Sequence, residues 1–260
     1  MHELADAARP LTLRHFRSHA PVDNKGAQGT FDPVTAADRD AEDQMRRLIA
    51  ERYPDHAIVG EEHGSTHEQP DVATVPPPIT WIIDPVDGTR AFIMGWPLWG
   101  TLIAAADASG PLVGLMDQPY TRERFTGDGR TAHLKGPDGR TSKLATRSCG
   151  SLRDAVLATT DPGLFAPGHE SNAFARVRDV VRMTRYGGDC YAYAMLAAGH
   201  TDLVVEAGLN AYDIAALVPI IEGAGGVITT WDGGPAGNGG RIVAAGDRHL
   251  HAEALAMLRD

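Results

Sequence analysis

Residues 81–89, Trp-Ile-Ile-Asp-Pro-Val-Asp-Gly-Thr, constrain the fold of this chain more than any other run. The apolar, β-branched stretch Ile79-Thr80-Trp81-Ile82-Ile83 predicts a buried strand that stops at Asp84. Pro85 has no N–H for a sheet ladder, so pairing is expected to break there. A second carboxylate follows at Asp87, and Gly88-Thr89 make a tight turn. The strand fixes the first carboxylate, and the Pro-bearing turn swings the second round to the same point. That is how an oxygen-ligand metal site is built at a strand end. A glycine beside a hydroxyl leaves backbone N–H groups facing that point, where a phosphate can sit.

The rest of the chain reads as two layered halves. Residues 3–20 are Ala/Leu/Arg-rich and predict a helix, followed by a polar loop over 21–29. Thr35-Ala36-Ala37-Asp38 predicts an N-cap with a carboxylate at N3, opening a helix to about Arg52 with Met45, Leu48 and Ile49 on its apolar stripe. A short strand over 56–59 runs into Gly60-Glu61-Glu62, and 63–78 is a surface loop. Strands at 99–107, 111–118, 122–126 and 130–135 are separated by turn signals and predict an antiparallel meander. From about 150 the pattern alternates: strand 155–159, helix 171–180, strand 182–186, helix 189–198, strand 202–206, helix 212–224, strands 226–230 and 241–246, helix 248–259. Such alternation implies a sheet with helices packed on its faces. The expected boundary falls near 145–150, giving an N-terminal α+β half (1–148) and a smaller C-terminal α/β half (149–260). Pro219, inside the helix expected over 212–224, should kink it or shift its start.

The chain has 260 residues and a formal net charge of −10, which argues against a nucleic-acid binder. Clustered metal-collecting carboxylates explain the acidity as well as a solvated acidic surface does. The two cysteines, Cys149 and Cys190, form no CxxC pair and suggest no disulfide framework. The N-terminal residues lack a basic start and an apolar core, so no signal peptide is expected, and no apolar run approaches bilayer-spanning length. A reduced, cytoplasmic location is expected.

Four carboxylates stand at element ends: Glu61, Asp84, Asp87 and Asp213. Buried together without cations they would repel one another and hold protons. Hard divalent cations resolve this, and Mg²⁺ suits carboxylates plus a substrate phosphate.

Gly60-Glu61-Glu62, Asp84-Pro85-Val86-Asp87-Gly88-Thr89, Tyr212-Asp213-Ile214-Ala215-Ala216 and Glu222-Gly223-Ala224-Gly225-Gly226 resemble the inositol monophosphatase family. So does Asp32-Pro33-Val34-Thr35-Ala36-Ala37-Asp38, and the matches run in family order over about residues 25–250. The resemblance implies an αβαβα layered fold, Mg²⁺-dependent phosphatase activity with two or three ions per site, and a homodimer. It implies that Glu61, Asp84 and the Val86 carbonyl hold the ion that activates water. Asp84, Asp87 and Asp213 would hold the second. Thr89 with Glu61 would orient the nucleophilic water, the N–H groups of Gly88 and Thr89 would hold the phosphate, and Asp38 would keep Thr89 oriented. The family usually carries a lysine before the Val-Thr pair; the nearest here is Lys25, in a Gly-rich loop where a solvated lysine is equally at home.

Substrate choice falls to the second half. Arg185-Tyr186-Gly187-Gly188-Asp189-Cys190-Tyr191-Ala192-Tyr193, with Glu206-Ala207-Gly208-Leu209 and Tyr212-Asp213-Ile214-Ala215-Ala216-Leu217, resembles the histidinol-phosphatase branch. Asp189 and Glu206 would add two carboxylates to the substrate pocket and favour a substrate with positive charge opposite its phosphate. Asp189 can also cap the following helix, and Glu206 can be a solvated strand end. Arg185 would sit near the phosphate or steer Asp189, or be an exposed strand-end arginine. Tyr191 and Tyr193 are expected to pack. The resemblance thus implies hydrolysis of L-histidinol phosphate by direct attack of water, with inositol 1-phosphate or another sugar phosphate as the alternative. A non-catalytic binding protein on the same fold is disfavoured by the intact set Glu61, Asp84, Asp87, Thr89 and Asp213.

Other signals carry less. Asp84 and Asp87 are three apart, whereas the covalent-aspartate loops of haloacid-dehalogenase-type phosphatases space theirs by two. His63 and His67 lack a third zinc-type partner. Gly233–Gly240 reads as a loop, and Gly223–Gly226 as a helix C-cap leading into a strand.

Overall fold

The computed structural model describes residues 1–18, 21–24, 33–66 and 78–259. Lys25, Gly26, Gly29, Asp32, His67 and Pro76-Pro77 lie outside the described residues. In chain order the elements are α1 (His2–His15), β1 (Val22–Asn24), β2 (Pro33–Thr35), α2 (Ala36–Arg52), β3 (Ala57–Gly60), β4 (Gly64–Ser65), β5 (Thr80–Asp87), α3 (Thr89–Ile93), β6 (Gly100–Asp107), β7 (Gly110–Gln118), β8 (Glu123–Gly127), β9 (Ala132–Lys135), β10 (Thr141–Lys143), β11 (Val156–Thr159), α4 (His169–Arg178), β12 (Met183–Tyr186), α5 (Asp189–Ala197), β13 (Leu203–Leu209), α6 (Ala211–Ile214), α7 (Leu217–Gly223), β14 (Val227–Thr230), β15 (Gly240–Ala245) and α8 (Arg248–Arg259). None of the described helices is long and apolar enough to cross a membrane.

Among the described residues the strands form an eight-stranded sheet, β10-β9-β8-β7-β6-β5-β3-β4, a five-stranded sheet, β12-β11-β13-β15-β14, and the ribbon β1-β2. Helices α1 and α2 cover one face of the large sheet, α5 and α7 lie between the sheets, and α4 and α8 cover the far face of the small one. This is the αβαβα order. The large sheet is antiparallel except where β3 runs parallel to β5, and the small sheet is mixed. Strand alternation builds the layers. Leu102 and Ala104 of β6 face the central core, while Ile103 and Ala105 face α1 and α2. Val204 of β13 and Ala244 of β15 face the same central core, and Leu203, Val205, Val243 and Ala245 face α4 and α8.

The capping signal at Thr35 holds: Thr35 Oγ1 accepts the Ala37 N–H, and Asp38 Oδ2 accepts the Thr35 N–H at 2.9 Å and its hydroxyl at 2.6 Å. Several boundaries differ. The first helix ends at His15, short of residue 20, and the expected loop 21–29 contains β1, paired with β2. The strand β10 was not expected. The strand at Asp84 does not stop: β5 runs on to Asp87 across a one-residue bulge, because Asp84 pairs with Leu102 and Asp87 with Gly100.

The helix expected over 212–224 is split into α6 and α7 at Ala215–Ala216. Pro219 accounts for this: it cannot donate to the carbonyl of Ala215, four residues back, and its ring crowds that carbonyl. Pro219 instead occupies the first turn of α7, where no intrahelical donor is needed. The backbone of α7 lies directly on the large sheet. A Cβ at Gly114 would stand 1.9 Å from the Ala216 carbonyl oxygen, and one at Gly127 would stand 2.3 Å from that of Pro219. The Pro219 carbonyl also accepts the Gly129 N–H at 3.1 Å. Gly114→Ala and Gly127→Ala should therefore each destabilise the protein by about 3 kcal/mol, read as a lower urea midpoint at unchanged slope. A loss below about 0.5 kcal/mol would show that α7 can shift freely.

Candidate active site

Both sheets aim the carboxyl ends of parallel neighbours at one place. Glu61 follows β3, Asp87 ends β5, Thr160 follows β11 and Glu206–Leu209 close β13. All of these line one cavity of about 500 Å³, together with Gly88, Thr89, Arg90, Leu164, Asp189, Cys190, Tyr193, Asn210, Tyr212 and Asp213. Crevices at strand carboxyl ends are where α/β sheets collect ligands.

The bulge in β5 shapes the site, and the polar groups around it are satisfied. Asp84 Oδ1 accepts the Val86 N–H at 2.9 Å. The Pro85 carbonyl accepts the hydroxyl of Thr101, on β6, at 2.8 Å. Thr89 Oγ1 donates to the Val86 carbonyl at 3.0 Å. Gly88 adopts φ +86°, which a side chain rarely tolerates, and turns the chain into α3. Phe92 on α3 is anchored against Phe16 and Trp99, with ring centroids 5.4 and 4.9 Å away.

Asp84, Asp87 and Asp213 offer oxygens within 4.8 Å of one another, and so do Asp38, Glu61 and Glu62. Asp84 is 1% exposed. Removal from water pushes its carboxyl well above the usual carboxylate range, and the charges of Glu61, Asp87, Asp213 and Asp38 push it further. Asp87 is raised well above that range by the same desolvation and by Asp189 and Asp213. Asp87 Oδ2 accepts the Cys190 N–H of α5 at 2.7 Å, and Asp213 Oδ2 accepts the Asn210 N–H at 2.6 Å. The Glu61-Glu62 turn rests on buried Glu42, which accepts the N–H groups of Glu62 and His63 and pairs with Arg46 at 2.7 Å. These hard oxygen donors fit a divalent cation such as Mg²⁺.

Asp189 heads α5 at φ +44° and lines the cavity beyond this cluster. Burial raises its carboxyl, nearby Arg90 lowers it and Asp213 raises it, leaving it at about 6. Glu206 is 3% exposed. Burial pushes it up to about 8 against two hydrogen bonds to Oε1, from the Thr160 N–H and hydroxyl, both 2.8 Å.

Arg185 is exposed on the edge strand β12, as the strand-end reading has it, and is not among the residues lining the cavity. Tyr191 packs as expected, edge-on to Phe125 at 6.3 Å with its hydroxyl on Glu123. Tyr193 packs in the central core as expected, and it also lines the cavity. His63 pairs with Asp43 at 3.1 Å. Arg90, the one cation among the described residues lining the cavity, was missed, although it directly follows the Gly88-Thr89 turn. Thr160 and Tyr193 were missed as well; a hydroxyl after a strand and an i,i+4 partner of Asp189 were the available signals.

A sequence profile of the inositol monophosphatase family matches residues 1–260. The chain belongs to the inositol monophosphatase family. It is 43% identical to the chloroplastic bifunctional phosphatase IMPL2 of Arabidopsis thaliana, over 98% of this chain and 72% of that protein. It is 32% identical to a histidinol-phosphatase of Mycobacterium tuberculosis, over 98% of this chain and 95% of that one. An inositol monophosphatase structure from Zymomonas mobilis superposes with a TM-score of 0.84 at 41% identity, covering 100% of this chain and 96% of that one. As an inositol monophosphatase family member the protein is a phosphoric monoester hydrolase, and its paired acidic groups could hold the metal ions on which the family depends.

The raised carboxyls of this family member make its stability depend on pH. Folded Glu206 keeps its proton up to about 8, against about 4.5 when unfolded. Its contribution is complete below the lower value and is lost as the pH rises through the upper one. In chelating buffer, the wild type should therefore lose stability relative to Glu206→Gln as the pH climbs from 5 towards 8, by up to about 1.4 kcal/mol per pH unit. A difference that stays flat over that window would refute the assignment.

Proposed function

We propose that the enzyme is a Mg²⁺-dependent histidinol-phosphate phosphatase, converting L-histidinol phosphate and water to L-histidinol and phosphate in histidine biosynthesis. The observation that carries the reading is the pair Asp189 and Glu206, which add two carboxylates to the cavity beyond the Asp84, Asp87 and Asp213 cluster. Histidinol phosphate carries an amine and an imidazole, and acidic walls complement both. The likeness to proteins named histidinol-phosphatase supports the same substrate.

Glu61, Asp84, Asp87, Asp213 and the Val86 carbonyl are the groups that would hold two or three Mg²⁺ ions. When bound, the ions would neutralise the carboxylates, polarise the ester and lower the pKa of a water molecule. The remaining work belongs to the chain. Thr89 donates its proton to the Val86 carbonyl, so its oxygen lone pairs can take a hydrogen bond from the attacking water. Glu61, on the same wall, receives the water's proton. Asp38, whose carboxylate lies within 4.8 Å of an oxygen of Glu61, would be a positioning residue. The N–H groups of Gly88 and Thr89, with Arg90, hold the phosphoryl oxygens in line. Asp84 is not a nucleophile in this scheme: it is 1% exposed and one of its oxygens holds the Val86 N–H. A cytoplasmic homodimer is part of the same reading, and the family resemblance supports it.

The similarity to the Zymomonas mobilis structure favours a second reading, an inositol-1-phosphatase or broad sugar-phosphate phosphatase. Side-by-side kcat/KM values decide between them, and histidinol phosphate should exceed inositol 1-phosphate. Asp189→Ala and Glu206→Ala should lose histidinol phosphate at least about tenfold more than inositol 1-phosphate; equal losses would remove the basis for the acidic-wall argument. Asp84→Asn should reduce Mg²⁺-dependent phosphate release by about a thousandfold and abolish the rise in Tm that Mg²⁺ gives the wild type. Retained activity in Asp84→Asn would overturn the site.

A further inference from the structure

The outer end of the large sheet carries a basic cavity that the chemistry above does not use. It measures about 340 Å³ and is lined by His2, Arg124, Thr126, His133, Lys135 and Thr141. All six are polar, none is acidic, and none lines the catalytic cavity. Strand register brings them together. Phe125 of β8 and Leu134 of β9 face the central core, so alternation turns Arg124, Thr126, His133 and Lys135 to the opposite face. There Arg124 stands directly opposite Lys135, and Lys135 opposite Thr141 of β10. The next row sets Thr126 opposite His133, and His133 opposite Lys143. His2, at the start of α1, completes the wall.

Like charges directly opposite on neighbouring strands repel. The carboxylates that could answer them are already engaged. Arg124 Nε pairs with Asp117 and its Nη2 with Asp6, both at 2.7 Å, and Arg9 also holds Asp117 at 2.7 Å. Two arginines thus balance two carboxylates, and Lys135 and the imidazoles are surplus. Among the described residues neither Lys135 nor Lys143 has an ion-pair partner. Arg124 Nη1 faces His2 Nδ1 at 3.4 Å, away from both carboxylates. We infer that this cavity binds inorganic phosphate at a site apart from the catalytic one. The dianion brings acceptor oxygens for the guanidinium, the ammonium and the two threonine hydroxyls. It would relieve the repulsion between Arg124 and Lys135 and tie the first turn of α1 to β8 and β9. The site does not depend on which ester the enzyme hydrolyses.

Lys135→Met tests it, because it removes the charge and keeps a side chain of similar length. The measurement uses the metal-free enzyme in chelating buffer, where the acidic catalytic cavity repels phosphate. At constant ionic strength, phosphate at ten times its Kd should raise the wild-type Tm by about 3–6 °C, and chloride should not. In Lys135→Met the Kd for phosphate, read by calorimetry, should rise by about tenfold or more. The phosphate-free Tm of that variant should hold or rise, because the like-charge pair has gone. Asp84→Asn, altered in the catalytic cavity, should keep the full phosphate response. A wild type that does not respond, or a response that chloride reproduces, overturns the site. So does a response that Lys135→Met keeps in full or Asp84→Asn loses.

Discussion

Asp84, Asp87 and Asp213 bring acidic oxygens within 4.8 Å of one another, and much of the surrounding structure holds them against their repulsion. At about 5 Å and an effective dielectric near 20, each pair of full charges repels by about 3 kcal/mol. A typical hydrogen bond contributes about 1 kcal/mol net. The bonds from Val86, Cys190 and Asn210 therefore fix where the carboxylates point without offsetting their charge. Protons or cations must do that; removal from water first, and the neighbouring carboxylates next, push the Asp84 and Asp87 carboxyls well above the ordinary range. A divalent cation held among these oxygens would relieve that repulsion.

Holding such a cluster needs both sheets in register with one another, and the central helical layer supplies that. Asp87, at the end of a large-sheet strand, receives an N–H of α5, 103 residues further along the chain. Helix α7 is locked onto the large sheet by direct backbone contact at Gly114 and Gly127. Small residues in those strands are what let α7 approach, and the break that Pro219 imposes at Ala215–Ala216 leaves α6, with Asp213, separate from α7.

The strand-end carboxylates were legible in the sequence because each marks a change of local rule: β-branched run to Asp84, cap signal at Thr35-Asp38, Gly60 before Glu61. The layered order was legible from the switch between meander and alternation near residue 150. What was not legible is long-range. A proline normally argues against continued pairing, and nothing local to Pro85 reveals that Thr101, on the neighbouring strand, satisfies its carbonyl and keeps β5 going. Arg185 looked placed for the site by its distance from Asp189, but the turn between them leaves it on the sheet edge. Tyr193 reads as core and is core; that it also borders the cavity is visible only once both halves are assembled.

The charges around the cavity bear on the kind of ester the site can hold. Glu61, Asp87, Asp189, Glu206 and Asp213 line it, against Arg90 as the one described cation. A phosphate monoester adds about two further negative charges. Ions held by the strand-end cluster would answer the cluster and, with Arg90, the phosphate; Arg90 also acts on Asp189. Glu206 remains, buried and without a cation of its own among the described residues that line the cavity. A neutral alcohol could exchange hydrogen bonds with the protonated carboxyl but would not favour its ionised form. On the proposed reading, a substrate that carries its own positive charge would draw it into the ionised form and gain a buried, hydrogen-bonded ion pair, so the burial that raises Glu206 would favour such a substrate.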